Sequence, residues 1–94
     1  MNKGALLIKT DGSVQKAYPA NGSDFKLEEL QGFVDGLIEI IDIGSDVIMV
    51  VNEEGKGILE PNSMATVIAK ARSAILPHDY IAGNALMCPS DMVQ

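Results

Sequence analysis

His78 stands directly before Asp79, and a His–Asp step is a pairing that can support general-base chemistry. The chain has only this one histidine, so a nucleophile–His–acid triad has no spare partner, and the position after Pro77 reads as a surface turn. Cys88 is the single cysteine and falls in an apolar segment, where a thiol packs rather than reacts. Carboxylates are paired at Glu28-Glu29 and at Glu53-Glu54. Sequence neighbours on a helix or strand point in different directions, so neither pair is a dyad by adjacency alone. Asn52, Glu53 and Glu54 offer oxygen ligands, but no further ones follow at a calcium-loop spacing, so no metal is expected, and no cofactor.

Anion binding is the chemistry the spacing favours. Asn62-Ser63-Met64-Ala65-Thr66 has the composition of a helix start, where free backbone N–H groups lie beside small polar side chains. Lys56 is close in sequence, and Arg72 is the chain's only arginine, so any bidentate clamp on an anion must use it. The candidate ligand-binding set is therefore Asn52, Glu53, Lys56, Asn62, Ser63, Thr66 and Arg72, and no catalytic residue is assigned. Against it stand ordinary capping by Asn62 or Ser63 and a solvated helix position for Arg72.

Composition limits the partners. The 94 residues carry 7 Lys+Arg against 13 Asp+Glu, a formal charge of -6. That balance, with two Phe, two Tyr and no Trp, lacks the basic surface and stacking platforms of a nucleic-acid binder. The four-residue apolar run Ala5 to Ile8 is too short for a secretory signal, and no stretch approaches a membrane span. The expectation is a single cytoplasmic domain over residues 1–94, without membrane or direct nucleic-acid binding. A core this small favours a homo-oligomer.

These residues need elements to position them. Residues 4–10 and 13–18 read as strands joined at Asp11-Gly12, a two-residue hairpin signal. Leu27, Leu30, Phe33 and Val34 recur with helical period; Asp24 is the expected N-cap and Gly36 the C′ glycine. Residues 37–43 and 47–51 read as strands, the second apolar enough to be buried on both faces. A turn at Asn52 to Gly55 leads to a short strand over 56–59. Met64, Val67, Ile68, Ala71 and Ile75 form the apolar stripe of a second helix, stopped by Pro77. Residues 79–88 read as the last strand with a bulge at Gly83, and 89–94 as a frayed tail. The fold class is α+β, a mainly antiparallel sheet with two helices packed on one face, in the order ββ-α-βββ-α-β.

Several of these residues form a pattern. Leu30-Gln31, Val34, Gly36, Ile38-Glu39, the turn Asn52 to Lys56, Asn62, Ala65, Asp79, Ile81 and Gly83 occur in an order that resembles the small domain of unknown function numbered 3846. The chain departs from that pattern at Gly57-Ile58 and Glu60-Pro61. The resemblance covers nearly the whole chain and implies a phage or mobile-element setting inside a host cell, with no catalytic residues to carry over. The expected function is that of a small non-catalytic binding protein, a counter-defence sponge sequestering a small anionic ligand such as a cyclic-nucleotide immune signal. The alternative is a protein–protein inhibitor, or an acidic mimic of nucleic acid, acting on a host protein.

Overall fold

The computed structural model describes residues 4–93. Five strands, β1 (Ala5–Ile8), β2 (Val14–Ala17), β3 (Ile38–Gly44), β4 (Val47–Asn52) and β5 (Ala85–Pro89), form one sheet in the order β2-β1-β5-β4-β3. Every neighbouring pair is antiparallel. Two helices, α1 (Leu27–Val34) and α2 (Ser63–Ala71), complete the α+β fold.

The apolar run of β4 explains the layering. Ile48 and Val50 pack in one cluster with Leu30 and Val34 of α1, while Met49 and Val51 pack in another with Ala65 and Ala69 of α2. β5 alternates likewise, Leu86 and Cys88 toward α1, Ala85 and Met87 toward α2. The helices therefore cover opposite faces, not one face as expected. A strand apolar on both sides requires this arrangement, since one helix layer would leave Met49 or Val50 in water.

Both hairpins follow local backbone chemistry. β1 and β2 join through a three-residue loop rather than a two-residue one: Lys9 N–H donates to the Ser13 carbonyl at 2.9 Å, and Gly12 sits at φ 90°. Asp11 steadies it by accepting from the Ser13 N–H at 2.8 Å. β3 and β4 join through Ser45 and Asp46, both left-handed at φ 57° and 60°, as a type I′ turn requires.

The N-cap of α1 is Lys26 rather than Asp24, because Glu29 reaches back to accept from the Lys26 N–H at 2.9 Å and from the Ala20 N–H at 3.0 Å. Those backbone bonds hold the Glu29 carboxyl below its usual range. The stripe expected on α2 is out of phase. Ala65 and Ala69 face the sheet with Ile68 beside them, and Met64 and Val67 point outward at 41% and 65% exposure. The buried positions of α2 are thus taken by its small side chains, which pack with Met49 and Val51 of β4. The helix ends at Ala71, well before Pro77, where Ser73 turns left-handed at φ 54°.

Three further expectations are corrected. Residues 56–59 form a turn, closed by the Ile58 and Leu59 N–H groups on the Gly55 carbonyl, so the order is ββ-α-ββ-α-β. Residues 79–84 stay outside the sheet because their backbone bonds to the α2 start instead: Asn62 N–H to the Ile81 carbonyl at 2.8 Å, Ile81 N–H to Thr66 Oγ1 at 2.9 Å. Of the expected tail 89–94, residues 89–93 are packed rather than frayed, and Gln94 lies outside the described residues. Ser90–Met92 forms a 3₁₀ turn, Met92 is fully buried, and its carbonyl accepts from the Phe25 N–H at 2.7 Å.

Candidate functional site

A cleft of about 390 Å³ opens on the α2 side of the sheet, beside edge strand β3. Glu39 and Ile41 of β3 form one wall, and the end of β4 with Asn52 and Glu53 forms the floor's rim. Ser73 to Leu76, after α2, and Asp79 to Ala82 close the opposite side. At the mouth Lys56 donates to the Asp79 carboxylate, and its ammonium lies 5.7 Å from the Tyr80 ring centroid. Asp79 also accepts from the Tyr80 N–H at 2.8 Å. The Lys56 hydrogen bond first, and that backbone bond second, hold the Asp79 carboxyl below its usual range.

The sheet and turns explain why these groups meet. Asn52 ends β4 and turns its amide to α1, donating to the carbonyls of Val34 at 2.9 Å and Asp35 at 3.2 Å. Its Oδ1 accepts from the Glu54 N–H at 2.7 Å, which bends the chain toward Lys56. Gly55 lies under the 79–82 segment, where a Cβ would sit 3.0 Å from the Ala82 carbonyl oxygen. The Asn52 turn and the 79–82 segment are thus held close enough for Lys56 to reach Asp79.

A family profile described as a domain of unknown function, DUF3846, matches residues 1–92. The chain belongs to the DUF3846 family. No curated protein and no solved structure matches it. Of the DUF3846-type pattern read in the sequence, Glu39, Asn52, Glu53, Lys56, Asp79 and Ile81 line the cleft. Asn62 and Gly83 stand behind it as structural ties.

The expected ligand set divides accordingly. Asn52, Glu53 and Lys56 share the cleft, although Asn52 already serves α1. Asn62 is fully buried; its Nδ2 donates to the carbonyls of Ile8 and Gly83, both at 2.9 Å, and its Oδ1 accepts from the Ala65 N–H. The Thr66 hydroxyl donates to the Asn62 carbonyl at 2.7 Å and accepts from Ile81 N–H. Ser63 is exposed beside Pro61, Val67 and Tyr80, outside the cleft. Arg72 caps the far end of α2, about 14 Å of helix rise from Ser63, and does not line the cleft. The helix start and the arginine therefore do not form one anion clamp.

Sequence reasoning missed Glu39, Ser73 and Tyr80 as cleft residues, and took Asp79 as the neighbour of His78, a strand start and a member of the family pattern, not as a cleft residue. The signal for Glu39 and Asp79 was their place in the family pattern beside Lys56; Ser73 and Tyr80 had none. Among the described residues, no group of three His, Cys, Asp or Glu side chains can hold a metal ion. His78 is exposed, and burial pushes the Cys88 thiol up to about 11. No helix among the described residues is long and apolar enough to cross a membrane.

Proposed function

We propose that this DUF3846 chain is a non-catalytic binding module that engages a protein partner, with the cleft holding a basic side chain of that partner. The observation that carries this reading is the charge of the cleft. Glu39, Glu53 and Asp79 line it against one cation, Lys56, which is already joined to Asp79. Among the described residues no cation pairs with Glu39 or Glu53. An apolar floor of Ile41, Val51 and Ile75 suits the methylene stem of a lysine or arginine, with the charged head between carboxylates.

The same geometry disfavours the sponge for an anion. A cyclic nucleotide entering the cleft meets an excess of negative charge. The groups nominated to receive it, Asn62 and Thr66, are engaged inside the fold. In a phage or mobile-element setting the module is an inhibitor-type protein acting on a host protein. Cys88 packs on the α1 side of the sheet, away from the cleft, and burial keeps its thiol protonated at neutral pH, so it supplies no nucleophile there.

Calorimetric titration tests the reading, using short lysine- and arginine-containing peptides in parallel with a panel of cyclic di- and trinucleotides. Peptide binding that weakens with added salt and is lost in Glu53→Lys is the expected result. Heat from the nucleotides with none from the peptides would overturn it and restore the sponge.

A further inference from the structure

The cleft adjoins an unprotected sheet edge. β3 is the last strand of the sheet, and among the described residues nothing pairs with its outer side. The other edge, β2, is only four residues long, carries Lys16 and runs into Pro19, which are ordinary devices against unwanted pairing. β3 is seven residues long, leaves Ile40 47% exposed, and has Leu37, 52% exposed, just before it.

Its hydrogen-bond phase follows from one contact. Glu53 N–H donates to the Leu37 carbonyl at 2.8 Å, which makes Leu37 and Glu53 a bonded pair in the β3–β4 ladder. Bonded and non-bonded pairs alternate in antiparallel sheets, so Glu39 and Ile41 also turn their backbone groups to β4. Ile38, Ile40 and Asp42 therefore direct their N–H and C=O groups outward. The bulge between Asp42 and Gly44 ends the usable edge at Asp42. The side chains divide as well: Ile38 packs on the α1 face, whereas Glu39 and Ile41 face the cleft.

We propose that β3 receives an extended segment of a partner protein as a sixth, antiparallel strand over Ile38 to Asp42, with a lysine or arginine of that segment opposite Glu39 on the cleft side. The proposal rests on the protein-binding reading above and names how the partner is held. In such a pair the residue facing Glu39 is non-bonded, the geometry that brings side chains closest, so its ammonium or guanidinium meets Glu39 and reaches the cleft. The residue facing Ile40 is apolar and lies on the α1 face, where it covers Ile40. A second basic residue faces Asp42. Charge selects this occupant over a second copy of the chain. The segment from Leu37 to Gly44 holds Glu39 and Asp42 and no Lys or Arg, so self-pairing would bring like carboxylates and no cation to the seam.

The probe is acetyl-Thr-Lys-Val-Val-Arg-Val-Thr-amide, designed to place its arginine opposite Glu39, its second central valine opposite Ile40 and its lysine opposite Asp42. Binding is followed by the protein's amide NMR signals and by calorimetry. N-methylation of the second central valine removes the N–H that faces the Ile40 carbonyl and should weaken binding by about tenfold or more. N-methylation of the first central valine, whose N–H points away, should change it by less than about twofold. Ile40→Pro, which deletes an outward N–H and no β4 bond, should abolish the slowed exchange seen with peptide at residues 38–42. The methylated peptides decide the matter if that variant fails to fold.

Equal affinity of both methylated peptides, with binding still lost in Glu53→Lys, would sink the sixth strand and leave the protein-binding reading standing. No binding of the parent peptide would remove both. Protection of the Ile40 amide that rises with protein concentration alone would assign the edge to a second copy and overturn the proposal.

Discussion

The side-chain amide of Asn62 donates to the carbonyl of Ile8 at 2.9 Å across 54 positions of sequence, tying the start of α2 to the end of β1. The same nitrogen donates to the Gly83 carbonyl, and the Asn62 oxygen caps α2 through Ala65 N–H. One buried side chain thus joins the first strand, the second helix and the segment that closes the cleft.

Replacing it should be costly for that reason. Asn62→Ala leaves two carbonyls and one helix N–H without these partners, and the expected loss is about 2–4 kcal/mol in urea unfolding. Asn62→Asp should be no milder, because a carboxylate keeps the cap but faces the Ile8 and Gly83 carbonyls with no N–H to offer. Ser63→Ala, at the exposed neighbouring position, should stay within about 0.5 kcal/mol. If Asn62→Ala unfolds at the parent midpoint, the tie has no energetic weight.

Asn62 was legible as a helix cap because its residue type and the apolar period after it agree. Its bonds to Ile8 and Gly83 were not, since no local pattern encodes a contact 54 residues away. The same division runs through the molecule. The apolar run of β4 was readable, but alternation cannot say that Met49 and Val50 meet different helices. On α2 the larger side chains suggested the buried stripe, but Ala65 and Ala69 are the residues turned to the sheet, and size alone does not set the phase of a helix. In the cleft, Asn52, Glu53 and Lys56 were found together because one turn carries them. Glu39, Ser73 and Tyr80 come from three other segments, and Arg72 was lost because helix length separates it from Ser63.

The Lys56–Asp79 pair sets a pH dependence. The folded protein holds the Asp79 carboxyl below its ordinary value of 3.8, so the proton binds more weakly in the folded state. The stabilisation is present above pH 3.8 and is lost as pH falls through the lower folded value. Asp79→Asn should therefore lower Tm by a few degrees at pH 7, the modest effect expected for a pair open to solvent. The gap from the parent should narrow as the acid scan passes below pH 3.8. A gap that is constant across the scan would mean that Asp79 acts through packing and not through its charge.

Gly36 and Asn52 should be energetically coupled. A Cβ at Gly36 would lie 2.8 Å from the Asn52 amide nitrogen, which is held in place by the carbonyls of Val34 and Asp35. In Gly36→Ala that amide must move and give up its cap on α1. The expected cost is about 1–3 kcal/mol, part of it from the backbone, which sits at φ 156°. Asn52→Ala loses the same two hydrogen bonds by itself. Once the amide is gone the clash has no object, so the double variant should be more stable than the two single losses summed, by at least about 0.5 kcal/mol. Strict additivity in a double-mutant cycle would show that Gly36 is required for its backbone conformation alone, and that the close approach to Asn52 carries no strain.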